Sequence, residues 1–244
     1  MPEASSYEEN YQKLPFEDVL RHYRIKNIID SIKNAGARKI LEIGCGYEPF
    51  FSYFDDYESM VTVEPGKQFF QIAQLKSAGD PRITLYNGIL EEYVTVLSEQ
   101  EFDFIIIGGF IHEISNPEEV LSAIHRICRK HTVLYCFAPN ARSFHRLLAF
   151  EAGLIDSIYE LSGHDKLFMR HQVFDIESIE QLFSGCGFRV RKKGSYYIKP
   201  FTNSQMAEIC SRKIIDESVI EGLDRMIRYL PDMGSELYVE ATVS

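Results

Sequence analysis

At 244 residues the chain is long enough for one large domain with its own core, and nothing in its composition calls for a second. A hydrophobic fraction of 45% with 25% charged residues excludes a disordered polymer. A formal net charge of −10 argues against a duplex nucleic-acid binder, whose affinity comes mainly from Lys and Arg neutralising phosphates.

Met1 is followed by Pro2-Glu3-Ala4-Ser5-Ser6-Tyr7-Glu8-Glu9, which has neither the basic start nor the apolar run of a secretory leader. No stretch approaches the roughly 20 apolar residues of a membrane span. Cys45, Cys128, Cys136, Cys186 and Cys210 are scattered without a C-x-x-C pair, so no zinc site and no disulfide framework is expected. A reducing, cytoplasmic setting fits. The short basic run Arg191-Lys192-Lys193 reads as a solvated strand edge, with an anion contact as the other option.

Taken in order, helical and strand-like segments alternate. Phe16, Val19, Leu20, Tyr23 and Ile28 recur at helical spacing behind Pro15 and stop at Gly36, which predicts a leading helical segment over residues 1–36. Lys39 to Ile43 reads as a buried strand entering Gly44-Cys45-Gly46. Met60 to Val63 is a second strand closed by Glu64, followed by a helix from Lys67 to Lys76, and Arg82 to Tyr86 is a third strand. Phe104-Ile105-Ile106-Ile107 is apolar without alternation, as a central strand covered on both faces requires, and it ends at Gly108-Gly109.

Asn116, Pro117 and Glu119 announce the next helix, with Val120, Leu121, Ile124 and Ile127 inward; Thr132 to Phe137 form a fifth strand. From Pro139 to about Gln172 the alternation fails, which predicts a helical cap inserted after that strand. Asp175 then caps a helix carrying Ile176, Ile179, Leu182 and Phe183, and a strand runs from Phe188 to Ile198. A long helix with Val219, Leu223, Met226, Ile227 and Leu230 on one face precedes a last strand from Glu236 to Thr242. The predicted architecture is α/β: a seven-stranded doubly wound sheet, mostly parallel with one antiparallel edge strand and helices on both faces. Residues 37–138 form its cofactor core, 139–172 the cap and 173–244 the rest of the sheet.

Ligands of doubly wound sheets sit outside the carboxyl ends of the strands. Gly44 and Gly46 permit a tight turn and close backbone approach. Glu64 closes the next strand 20 residues beyond Gly44, the spacing at which an acid takes ribose hydroxyls. Pro49 stands where a dinucleotide fingerprint wants a third glycine, and Glu42 and Glu48 flank the turn with charge that repels pyrophosphate and attracts a cationic nucleoside.

Ile40-Leu41-Glu42-Ile43-Gly44-Cys45-Gly46, then Glu64, then Asn87-Gly88, then Phe102-Asp103-Phe104-Ile105-Ile106 resemble the successive motifs of the Rossmann-like S-adenosylmethionine-dependent methyltransferases. The resemblance spans about residues 7 to 242. It implies that the glycine turn, with Gly108 and Gly109, faces the methionine part of S-adenosyl-L-methionine. Glu64 and Pro65 then hold the ribose side, and Asn87-Gly88-Ile89 lies by the adenine, Asn87 standing where many relatives carry Asp. Tyr11 and Arg24 cover the cofactor and meet its carboxylate on this reading, or are ordinary surface and packing residues on the other.

A hydroxyl acceptor loses a proton on methylation, and a positioned His or carboxylate is the usual base. His112, just beyond the central strand, is read as facing the acceptor, against the alternative of a loop histidine that only orders its turn. His145, His164 and His171 fall in the cap with Arg142, Arg146, Lys166 and Arg170, so the cap is the best candidate for reading the acceptor; His112, His145 and His171 are the candidate catalytic residues. Phe50, Phe51, Tyr53 and Phe54 either line a pocket or pack, and packing is the safer reading.

Pro139-Asn140-Ala141-Arg142-Ser143-Phe144-His145-Arg146-Leu147-Leu148 with Gly153-Leu154-Ile155 is similar to methyltransferases of bacterial surface-polysaccharide and antibiotic clusters. It implies a small polar acceptor such as a sugar, a nucleotide-linked sugar or a phosphoryl-type group, methylated on oxygen; the alternatives are methylation on nitrogen of an amino sugar and a non-catalytic cofactor-binding interaction module, against which intact Gly44, Gly46 and Glu64 argue. No metal is expected, since no His, Cys or carboxylate cluster has ligand spacing. No nucleic-acid or membrane partner is expected, and a homodimer is left open.

Overall fold

The apolar runs after the leading helix become adjacent strands because each is buried on both faces and finds its backbone partners only in one another. The computed structural model describes residues 15–161 and 171–244. β1 (Lys39–Ile43) lies parallel to β2 (Ser59–Glu64) on one side and to β4 (Phe104–Ile107) on the other. β3 (Ile83–Asn87) extends the sheet beyond β2 and β5 (Val133–Pro139) extends it beyond β4, both in parallel.

The full order is β3-β2-β1-β4-β5-β7-β6, so the winding reverses between β1 and β4. Phe104, Ile105, Ile106 and Ile107 are each at most 2% exposed, as their uninterrupted apolar sequence requires.

Two cores flank the sheet. Ile105 and Ile107 point to one that is closed by α3 (Leu90–Ser98), α4 (Pro117–Ile127) and α6 (Ile176–Gly185). Phe104 and Ile106 point to the other, closed by α1 (Glu17–Ala35), α2 (Lys67–Lys76) and the 3-10 turn Phe50–Ser52. Phe50, Phe51 and Phe54 are packing residues of this second core, whereas Tyr53 is 40% exposed.

The antiparallel end of the sheet is a pair of strands. β7 (Glu236–Val243) inserts antiparallel between β5 and β6 (Phe188–Tyr196), so the antiparallel strand lies one place in and β6 is outermost. Arg189, Arg191, Lys192 and Lys193 are exposed along β6 beside a register shift at Val190/Lys192, devices that discourage pairing at a free edge.

Other differences from the sequence reading lie near this end. β6 stops at Tyr196 because Tyr197 turns left-handed (φ 57). The expected long helix is two, α7 (Asn203–Ser211) and α8 (Glu217–Arg225), followed by a 3-10 turn, Met226–Arg228. Lys213 is left-handed (φ 54) and Asp216 starts α8 anew by accepting from the Val219 N–H, which is why one helix cannot continue. Of the expected inward stripe, Leu223 packs on the core and Ile220 joins it, while Val219 and Met226 are 44% and 37% exposed. The described part of the cap holds α5 (Phe144–Glu151) and the turns after it.

Candidate functional site

The loops leaving β1 and β4 meet at the reversal of the sheet. Gly44 (φ 75) and Gly46 (φ 58) adopt backbone that only glycine enters without strain. The Gly44 N–H donates to the Val63 carbonyl at 2.9 Å and the Gly108 N–H to the Ile43 carbonyl at 2.8 Å, stitching three strand ends together. A Cβ on Gly108 would lie 2.0 Å from the Gly44 carbonyl oxygen, so the two turns pass closer than any side chain allows. Among the described residues a Cβ on Gly46 would meet nothing within 4 Å, which leaves the space above the glycine turn open.

Glu64 draws the β1 turn toward β2. Its Oε2 accepts from the Cys45 N–H at 2.8 Å and the Gly46 N–H at 3.0 Å, and its Oε1 accepts from the Gly66 N–H at 2.7 Å. Burial raises its pKa above the ordinary carboxylate value despite these donors. Next to it, the Asn87 side-chain amide donates to the Glu64 carbonyl at 2.9 Å, and the Gly88 N–H donates to the same oxygen at 3.2 Å. Ile89 is 49% exposed and Pro65 is also exposed, so this shelf at the ends of β2 and β3 faces solvent.

Glu42 turns inward and holds the loop. Its two carboxylate oxygens accept from the Phe50 N–H at 3.1 and 3.2 Å, and Oε2 also accepts from the Thr62 hydroxyl at 3.2 Å. With no cation beside it, burial pushes its pKa up to about 8, and the charge on Glu64 adds to the rise. Glu48 is paired outward, with Lys76 Nζ at 2.5 Å and Arg21 Nη1 at 3.7 Å. The Cys45 thiol is pushed far up by burial, which makes it a packing group and not a nucleophile.

Arg24 sits across the sheet ends from α1. Its Nε donates to Glu236 Oε2 at 2.9 Å, its Nη2 to Glu236 Oε1 at 2.5 Å, and its Nη1 to Glu17 Oε1 at 2.9 Å. Its guanidinium carbon lies 5.0 Å over the Phe137 ring, and a Cβ on Gly109 would touch that same ring at 2.8 Å. Arg24 is thus one aromatic ring away from the β4 turn. Tyr11 lies outside the described residues.

His112 is 3% exposed, with Nε2 3.7 Å from Glu113 Oε1. Its carbonyl accepts from the N–H groups of His171 (3.0 Å) and Gln172 (3.4 Å), so the chain returning from the cap docks on the β4 loop. His171 meets His112 through its backbone, and the residue is itself exposed; His145 lies half-buried on α5. His164, Lys166 and Arg170 lie outside the described residues. Among the described residues no three His, Cys, Asp or Glu side chains gather as a metal site, and no helix is long and apolar enough to cross a membrane. A cavity of about 360 Å³ lies between α1, β6 and α8 and is lined by Tyr23 and Tyr196, and one of about 460 Å³ lies between α4 and α6; neither is lined by the glycine turns or Glu64.

A reversal of winding, stitched glycine turns, an acid at the end of β2 and open space over Gly46 define a Rossmann-like fold whose ligand site lies at this switch point. Residues 20–193 match the family described as a methyltransferase domain, and the chain belongs to that family. Solved structures agree in fold. One is the plantazolicin methyltransferase BpumL in complex with S-adenosylhomocysteine (TM-score 0.59, 17% identity, 99% of this chain and 89% of that one). Another is an S-adenosylmethionine-dependent methyltransferase from Archaeoglobus fulgidus (TM-score 0.55, 17% identity, 91% and 92%). A third is the methyltransferase domain of bacterial CtHen1 (TM-score 0.56, 15% identity, 92% and 100%). No curated protein matches the sequence. The chain is thus a methyltransferase by its family, with the fold seen in S-adenosylmethionine-dependent methyltransferases.

Proposed function

We propose that this enzyme O-methylates a small polar acceptor, with His112 as the base. The acceptor class is a sugar, a nucleotide-linked sugar or a phosphoryl-type group of surface-polysaccharide or antibiotic biosynthesis. The observation that carries the reading is His112 itself: an imidazole beside Glu113, shielded from water, at the end of the central strand and tied to the returning cap. The net charge of −10 supports a small molecule over nucleic acid, and the cysteine pattern supports a cytoplasmic setting.

In this reading Glu64 and Pro65 hold the ribose side and Asn87, Gly88 and Ile89 the adenine. Gly44, Cys45, Gly46, Gly108 and Gly109 border the methionine part, with Glu42 bracing the turn beneath them. Arg24 and Tyr11 receive the carboxylate. When bound, the cofactor supplies an electrophilic methyl group on a sulfonium, a good leaving group, so alignment does most of the work. His112 accepts the acceptor's proton and Glu113 favours the imidazolium that forms. His145 and His171, in the cap, serve as further candidates for that proton.

Thermal unfolding with S-adenosylhomocysteine, S-adenosylmethionine and NAD tests the cofactor half. Each ligand at about 100-fold over its dissociation constant contributes about 2.7 kcal/mol if specific, or roughly 5 to 10 °C. The two sulfur nucleosides should shift the midpoint and NAD should not. An acceptor screen with His112→Ala then tests the chemistry. An O-methyl enzyme loses about 10²-fold or more in kcat, whereas a change within threefold would replace the reading with N-methylation of an amino sugar.

A further inference from the structure

The leading helix touches both halves of the site. Near its start Arg21 reaches Glu48 in the glycine-turn loop (3.7 Å), and one turn later Arg24 lies over Phe137 beside Gly109. What holds Arg24 there comes from the far end of the chain. Glu236 opens β7, paired with Pro139 at the end of β5 and with Tyr196 at the end of β6. Its carboxylate takes the Nε and Nη2 donors of Arg24 together and accepts a third bond from the Tyr196 hydroxyl.

The cluster is well shielded: the Arg24 and Glu236 side chains are 13% and 10% exposed, and the nearby Lys199 is 6% exposed. Burial alone would raise the Glu236 pKa, but the charge and hydrogen bonds of Arg24, then Tyr196 and Lys199, hold it below the ordinary value. Buried ion pairs of this kind add little net stability compared with an apolar filling, so a stabilising role alone is a weak account of them.

A guanidinium has five N–H donors. Among the described residues Glu236 takes one from Nε and one from Nη2, and Glu17 takes one from Nη1, which leaves one N–H on each terminal nitrogen. A planar fork clamped on one edge cannot turn its remaining donors freely.

The geometry assigns Glu236, supported by the Tyr196 hydroxyl, as a positioning residue that presets Arg24 for the cofactor's carboxylate; the assignment rests on the reading of Arg24 given above. The paired C-terminal strands β6 and β7 thereby set the affinity of a site otherwise built from the first half of the chain.

Calorimetric titration of the full chain with S-adenosylhomocysteine tests this, with each variant's unfolding midpoint measured alongside. Glu236→Gln should raise Kd at least tenfold, and Tyr196→Phe, which leaves the ion pair in place, two- to threefold. The deciding readout is a double-mutant cycle. If Glu236 acts through Arg24, Glu236→Gln adds no further loss of affinity in an Arg24→Ala background. A Glu236→Gln protein that melts earlier yet binds within twofold of wild type would overturn the assignment, as would effects that add in the cycle. Wild-type protein that does not bind S-adenosylhomocysteine would overturn the reading of Arg24 itself, a result distinguishable from an additive cycle. Should Glu236→Gln fail to fold, an unchanged Kd in Tyr196→Phe would overturn it alone.

Discussion

Replacing Glu42 with Gln removes one buried titrating group while keeping its shape. In the folded chain the carboxyl gains or loses its proton near pH 8, because burial without a cation disfavours the charge; its ordinary value is 4.5. The folded state therefore keeps a proton that the unfolded chain releases. The sign follows: this contribution is fully present below about pH 4.5 and is lost as pH rises toward 8.

Between pH 4.5 and 7 the loss amounts to about 3 kcal/mol at 1.36 kcal/mol per pH unit. The amide introduced by Glu42→Gln can accept from the Phe50 N–H and donate to the Thr62 hydroxyl at every pH, as the protonated carboxyl does. The variant should melt close to wild type at pH 5 and about 6 to 12 °C above it at pH 7, using roughly 2 to 4 °C per kcal/mol for a domain of this size. Scanning fluorimetry of both proteins from pH 5 to 8 in matched ionic strength measures the difference, and subtraction cancels the groups they share. Two melting curves that run parallel across that range would refute the reasoning.

Three other variants separate fold from site. Gly108→Ala places a Cβ 2.0 Å from the Gly44 carbonyl oxygen and should destabilise by about 3 kcal/mol, seen as a lower midpoint and poor soluble yield. Gly46→Ala meets open space and costs only about 1 to 2 kcal/mol for its left-handed backbone. It should keep the fold yet lose at least tenfold in S-adenosylhomocysteine affinity; unchanged affinity would move the cofactor off this turn. Asp175→Ala removes the acceptor for the Ser178 N–H at the start of α6 and the partner of the Tyr159 hydroxyl. The helix cap alone is worth about 1 kcal/mol, so calorimetry should show a midpoint roughly 2 to 4 °C lower with cofactor affinity intact.

The central strands were legible because their signal is local. Phe104 to Ile107 is apolar without alternation, short and rich in β-branched residues, which is what the middle of a sheet covered on both faces buries. The turn at Gly44 and Gly46 was legible for a similar reason, since two left-handed backbone positions restrict the choice of residue there. Asp175 was read correctly as a cap because the bond it accepts is only three residues away.

Three features were not legible. Lys213 and Asp216 break what periodicity alone joins into one helix, and a stripe in which Leu223 is flanked by Val219 and Met226 cannot be told from one in which it pairs with Ile220 without knowing which face meets the core. Glu236 carries no motif at all.

By itself the sequence determined the parallel sheet, the glycine turn and the acid at position 64, each written into neighbours along the chain. Tertiary structure alone decided that Glu42 braces a loop from beneath, that β7 slips between β5 and β6, and that Glu236 clamps an arginine 212 residues away. Those outcomes depend on which surfaces meet after collapse. A charge, moreover, has no fixed partner until burial leaves it only one within reach.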